Sequence, residues 1–180
     1  MIILASASPR RRELLSRITK DFKVVVVKDE EKTDYKRPHL YVQALAKHKA
    51  ERAAESAENG DVIIAADTTV YFKGKIFNKP NDAEEAKRFL KTLSGNRHGV
   101  YTGVCVIKKG QRSQTYYCRS VVEFNDLSDE FIDAYVAGGS PLDKAGAYGI
   151  QDKGVVKRVV GDYDNVVGLP LQRLKKILGE

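Results

Sequence analysis

A chain of 180 residues, 42% hydrophobic and carrying 31 Lys+Arg against 24 Asp+Glu, has the length for one substantial core or at most two small lobes, and a net charge of +7. It contains no apolar run long enough for a membrane span and no signal-peptide pattern before its first strand-like segment, and its two cysteines, Cys105 and Cys118, lack the number for a disulfide framework and the spacing for a zinc site. The charge favours polyanionic partners, yet no Lys/Arg block, RNA-binding aromatic signature or low-complexity tail marks a dedicated nucleic-acid binder, so the chain reads as a cytosolic single domain over 1–180.

The first fifteen residues, MIILASASPRRRELL, run from a short apolar strand through Ser6-Ala7-Ser8 into a helix. Ser8 suits an N-cap and Pro9 the first helical position. Arg10, Arg11 and Arg12 then place three positive charges where helices prefer acids, so the turn needs a compensating anion. A polyphosphate would accept forked Arg hydrogen bonds there, and a solvated basic turn is the plainer alternative. Phe22–Val27 reads as a second strand, followed by the charged loop Lys28–Lys32, in which Glu30 is by pattern alone an ordinary surface acid.

The next helix is predicted from Pro38 to about Glu58, with an apolar stripe of Val42, Leu45, Ala46, Ala50, Ala53, Ala54 and Ala57. Lys49 falls on that stripe, so it either snorkels to water or points inward over an anion. Asp61–Ala66 is a buried strand ending in Asp67-Thr68-Thr69, and in open α/β sheets ligands gather beyond the carboxyl ends of strands. Asp67 there can hold a divalent metal or take a proton from water, or it caps a turn.

Val70–Asn78 reads as a hairpin turning at Gly74-Lys75, then Lys79-Pro80 and a helix with an Asp82-to-Glu85 capping box. Two long antiparallel strands are predicted at His98–Lys108 and Ser113–Phe124, and a short helix after Ser128. Ser140–Gly154 is too chemically mixed for a plain turn and suggests a binding loop carrying Gln151. Val155–Val160 is a last strand, and Leu171, Leu174 and Leu178 mark a terminal amphipathic helix. His39, His48 and His98 have no mutual metal spacing and read as surface or strand positions. No GxxxxGK[ST] motif is present, which excludes a P-loop. Cations plus one strand-end acid match metal-assisted attack of water on phosphorus.

Seven segments taken together resemble the Maf nucleoside-triphosphate pyrophosphatases: SASPRRRELL (6–15), YVQALAKHKA (41–50), AADTTV (65–70), NKP (78–80), LSGNRHGVYTGV (93–104), SPLDKAGAYGIQ (140–151) and GDYDNVVGLPL (161–171). The resemblance implies an α/β fold with a central mixed, twisted sheet flanked by helices and a cleft between two lobes, similar to inosine triphosphatase. It implies a homodimer that cleaves a nucleoside triphosphate into monophosphate and pyrophosphate with Mg²⁺ or Mn²⁺. By the same resemblance Asp67 is the proton acceptor and, with Glu30, a metal ligand, Glu31 being the neighbouring competitor for that place. Lys49, Ser6, Arg11 and Lys79 then lie on the phosphate side. Arg10, Thr68 and Gln151 match the subgroup acting on dTTP and UTP rather than on 7-methyl-GTP. Thr69 and Asn78 depart from the pattern, which commonly has a bulkier apolar residue and a glycine there. A regulator of cell division or a nucleic-acid binder without turnover is the rival reading.

Overall fold

The computed structural model describes residues 1–28 and 33–179. Strands β1 (Ile2–Ala5), β2 (Phe22–Val25), β3 (Val62–Phe72), β4 (Lys75–Phe77), β5 (Arg97–Lys108), β6 (Gln114–Phe124) and β7 (Val156–Val160) form one mixed sheet in the order β2-β1-β3-β5-β6-β7, with β4 also paired to β3. Helices α1 (Pro9–Leu15) and α2 (Pro38–Ala54) follow β1 and β2, and β1 pairs in parallel with both β2 and β3. The remaining ladders are antiparallel. Helices α3 (Ala83–Leu93), α4 (Asp129–Ala137), α5 (Tyr163–Val167) and α6 (Leu171–Leu178) complete the set, with two short 3₁₀ turns at Ser140–Asp143 and Ala145–Ala147. Among the described residues no helix is long and apolar enough to cross a membrane.

Alternation of side chains along the strands sorts the core into two faces. On one, Ile3, Ala5, Ile63, Ala65 and Cys105 meet the alanine stripe Ala46, Ala50 and Ala53 of α2. Small residues let this helix approach the sheet closely. At Gly103 on β5, a Cβ would lie 2.4 Å from the main-chain carbon and oxygen of Val42, so only glycine fits. On the other face Leu4, Ile64, Ala66 and Val104 pack with Leu14 and Leu15 of α1 and Leu171 and Leu174 of α6. Further along, Val70, Val100, Val122 and Phe124 pack with Leu90 and Leu93 of α3 and Ile132 and Val136 of α4.

Two expectations change here. The predicted strand Asp61–Ala66 and the first arm of the predicted hairpin are one eleven-residue strand, Val62–Phe72, so Asp67 lies mid-strand. The β3–β5 ladder runs unbroken from Val62 to Tyr71, and this pairing carries the strand past the Asp-Thr-Thr that looked like its end. Secondly, the hairpin turns at Lys73-Gly74, one residue earlier than expected, because Phe72 pairs with Lys75. Both turn residues have positive φ, 46° and 81°, the geometry of a two-residue type I′ turn. Smaller differences are that β2 stops at Val25, α2 at Ala54 and that α5 forms where no helix was expected. The Asp82 cap, which accepts from the Glu85 N–H at 2.7 Å, and the Ser128 cap are as expected.

Candidate active site

The functional side chains collect where β3 changes partners. On one edge of this strand β1 pairs as far as Ala65, whose partner is Ala5, and β4 begins at Val70, whose partner is Phe77. Between those points, Ala66–Thr69 have no strand neighbour on that edge among the described residues. Asp67 is therefore two residues beyond the last β1 pair. That position is still past the carboxyl end of a parallel strand, β1, where ligands commonly gather, although β3 itself continues.

Asp67 is on the α2 face of the sheet, and its Oδ1 accepts from Lys49 Nζ at 2.8 Å. The side chains are 15% and 16% exposed, so the inward reading of Lys49 is the one realised. Helical spacing explains this placement, since Lys49 lies between buried Leu45, Ala46 and Ala53 on the packed stripe.

Thr68 points to the opposite face and joins a chain of hydroxyls. Thr102 Oγ1 donates to the Asn165 carbonyl at 2.8 Å, which uses its only hydrogen. Thr68 must then donate across the 2.9 Å contact to Thr102. The Thr68 oxygen in turn accepts from an Arg11 Nη at 3.1 Å. Arg11 is further fixed by Nε donation to the Gly168 carbonyl at 2.9 Å and by a 3.4 Å contact to Ser6 Oγ. Ser6, 8% exposed, also accepts from the Ser8 N–H at 3.2 Å.

The three arginines fare differently. Arg10 reaches the Asp143 carboxylate at 3.3 Å, Arg11 is tied as above, and Arg12 is exposed. Part of the compensating anion is therefore intramolecular. Burial alone would raise the Asp143 carboxyl, but Lys144 and Arg10 outweigh it and hold it below the usual range.

Two adjoining cavities share these groups. One, about 390 Å³, is bounded by Ala5–Arg11, Val27, Lys49, Lys79 and Asp143 and is strongly cationic. The other, about 140 Å³, is bounded by Asp67, Thr68 and an apolar wall of Val70, Val100, Val166, Val167 and Ile150. Ser8, Arg10, Arg11, Lys49, Lys79 and Asp143 border both. A cationic basin beside a cavity with one apolar wall has the chemistry to take a polyphosphate joined to a flat ring.

Of the residues expected from sequence, Ser6, Arg10, Arg11, Lys49, Asp67, Thr68 and Lys79 are brought together. Gln151 is exposed and does not line either cavity, whereas its neighbours Gly149 and Ile150 line the smaller one. Glu30, and its competitor Glu31, lie outside the described residues. His98 is a strand position, as expected, on β5; it is 2% exposed, with Nε2 2.8 Å from the hydroxyl of cavity-lining Tyr148. Burial lowers its imidazole to about 4. The support given to Thr68 by Thr102 and Asn165 had no sequence signal, because isolated polar residues in a strand and a one-turn helix reveal nothing about which face they will share.

Among the described residues no group of three or more His, Cys, Asp and Glu side chains gathers. One carboxylate still suits a hard divalent cation, which is commonly held by one or two protein carboxylates together with substrate phosphates and water.

A profile of the family described as Maf-like protein matches residues 1–180. A dTTP/UTP pyrophosphatase of Clostridium novyi is 46% identical, covering 99% of this chain and 96% of the relative. One from Thermococcus onnurineus is 48% identical, covering 98% and 96%. Among solved structures, the Staphylococcus aureus Ham1 protein matches with a TM-score of 0.59 at 16% identity, over 99% of this chain and 97% of that one. A HAM1 protein from Coxiella burnetii matches with 0.57 at 16%, over 99% and 98%. These structural likenesses establish the fold.

Proposed function

This chain belongs to the Maf family, and from that premise we propose that it is a nucleoside triphosphate pyrophosphatase acting on dTTP and UTP. The observation that carries the reading is the Lys49–Asp67 pair at the gap in the β3 edge, beside a basin of Ser6, Arg10, Arg11 and Lys79. Arg11, Lys49 and Lys79 hold the phosphate chain, and Ser6 steadies Arg11. Arg11 brings its guanidinium already oriented by three contacts, so little ordering remains to be done on binding.

Asp67 accepts a hydrogen from the attacking water as its oxygen bonds to phosphorus. The bond to the oxygen bridging the α and β phosphorus atoms breaks, and the products are the nucleoside monophosphate and pyrophosphate. Lys49 keeps the carboxylate aimed into the cleft and offsets its charge as the anionic substrate approaches. A divalent cation, Mg²⁺ or Mn²⁺, held by Asp67 with Glu30 as the second carboxylate, would neutralise phosphate charge. Arg10 and Thr68 are the specificity positions; Gln151, expected with them, is exposed and lines neither cavity, its neighbour Ile150 doing so instead. Because the Thr68 hydrogen is committed to Thr102, Thr68 offers a ligand only an acceptor, which suits the ring N–H that thymine and uracil carry and cytosine lacks.

The same reading has the enzyme working in the cytosol as a homodimer, with no nucleic-acid partner. Purified protein with Mg²⁺ or Mn²⁺ should convert dTTP and UTP to monophosphate and pyrophosphate, in preference to other members of a panel of canonical and modified triphosphates. Orthophosphate and a diphosphate as products would exclude the mechanism, and light scattering tests the dimer.

A further inference from the structure

Three elements that carry parts of the cleft meet at one residue to which the chemistry assigns nothing. Asn78 sits between β4 and Lys79. Its side-chain Oδ1 accepts from Thr69 Oγ1 at 2.7 Å, and its Nδ2 donates to the Tyr41 hydroxyl at 2.7 Å. Its main-chain carbonyl accepts from the Gly146 N–H at 3.1 Å.

Each partner belongs to an element that carries part of the site. Thr69 is fully buried on β3, two residues after Asp67. Tyr41 precedes Lys49 by eight residues on α2, about 12 Å along the helix and roughly 80° around it. Gly146 belongs to the Ser140–Gln151 segment, of which Asp143, Lys144, Ala145, Tyr148, Gly149 and Ile150 line the smaller cavity. On the C-terminal side Lys79 is followed by buried Pro80, which restricts Lys79 to extended backbone. The direction in which Lys79 leaves the chain is thus set by Asn78 on one side and Pro80 on the other.

We propose that Asn78 is a positioning residue, which through Thr69 and Tyr41 fixes the Lys79 ammonium relative to the Lys49–Asp67 pair for a triphosphate spanning them. The inference deepens the pyrophosphatase reading and depends on it for the identity of the ligand. A flexible lysine on a connecting segment would otherwise have to be ordered by the ligand itself, at a cost in affinity. Thr69 and Asn78, the two departures from the family pattern, are bonded to one another. Asn78 thereby supplies the acceptor for the hydroxyl of fully buried Thr69, although its own side chain is exposed.

Four variants, Asn78→Ala, Tyr41→Phe, Thr69→Val and Thr69→Ser, test the proposal with Mg²⁺ present. The readouts are calorimetric binding of the non-hydrolysable α,β-imido analogue of dTTP, and KM and kcat for dTTP. The first three should weaken analogue binding and raise KM by about fivefold, the worth of one hydrogen bond, with kcat within about twofold of wild type. Thr69→Ser keeps the hydroxyl and should stay near wild type. In a Lys79→Ala background the three should add no further loss, because the group they position is gone. Losses that multiply in that background, or wild-type binding in all three, would overturn the proposal. Binding requires no turnover, so coupled losses in a protein that hydrolyses no triphosphate would overturn the pyrophosphatase reading alone. Absence of analogue binding by wild type would overturn both.

Discussion

Replacing Asp67 with asparagine isolates its charge with little change of shape. The amide introduced by Asp67→Asn would still offer its oxygen to Lys49 Nζ across the present 2.8 Å, so the contact persists as a hydrogen bond to a neutral acceptor. The pair is neither at the surface nor sealed, with 15% and 16% of each side chain exposed. Exposed pairs contribute under about 1 kcal/mol, and breaking a fully buried pair costs roughly 3–5. An intermediate loss of about 1–2 kcal/mol follows, equivalent to a fall in Tm of roughly 2–8 °C for a chain of this size. Activity should respond far more strongly, because an amide can neither accept the proton from water nor supply an ionised oxygen to a cation. Loss of a general base alone is about 10²–10⁴-fold, so kcat for dTTP should fall at least about 10³-fold. Pyrophosphate release can be followed with a coupling pyrophosphatase, beside circular dichroism and a thermal scan. Retention of more than a tenth of wild-type kcat would refute the assignment. A drop in Tm beyond about 15 °C would instead make the pair a structural element whose loss explains inactivity.

Arg11→Lys should lower triphosphate affinity at least about tenfold and stability by about 1–2 kcal/mol, since an ammonium cannot span Gly168, Thr68 and Ser6 at once; calorimetry and a thermal scan check this. Gly103→Ala would drive a methyl into the α2 backbone at Val42 and should cost about 3 kcal/mol or more, with reduced turnover as Lys49 moves off Asp67; denaturant unfolding and the dTTP assay read both. His98 is held near 4 in the folded protein against about 6.5 in an unfolded chain, so the unfolded state binds the extra proton between those values. Stability should therefore decline as pH falls from about 6.5 to about 4, by at most roughly 3 kcal/mol, and His98→Gln should flatten the decline in Tm over that window. An unchanged pH profile in His98→Gln would place the acid sensitivity elsewhere.

Local signals were strong where chemistry and geometry are written side by side. Ser8-Pro9 and Asp82-to-Glu85 announce helix starts, and the two long alternating strands fall within a residue or two of their expected limits. Lys49 could be placed inward because the alanine stripe fixes the face of its helix. The site was harder where long-range pairing decides. Nothing local distinguishes a strand that ends at Asp67 from one that merely loses a neighbour there, since the difference lies in where β1 stops and β4 starts. Asp143 was legible as part of a binding loop, but its pairing with Arg10, 133 positions away, was not. His98 was legible as a strand position but not as a buried one, because histidine carries no burial signal of its own beside glycine and valine.

The continuity of β3 bears on how the molecule comes apart. One strand serves the parallel ladder with β1 at its start, the hairpin with β4 at its end and the ladder with β5 along nearly its whole length. Neither wall of the cleft can lose its register without pulling on the same backbone, so melting should be a single calorimetric transition, with matching calorimetric and van't Hoff enthalpies. Amides of β3 bonded into the β5 ladder should be among the last to exchange with deuterium, while those of Ser140–Asp143 exchange early. A single strand thus makes both walls of the cleft part of one cooperative unit.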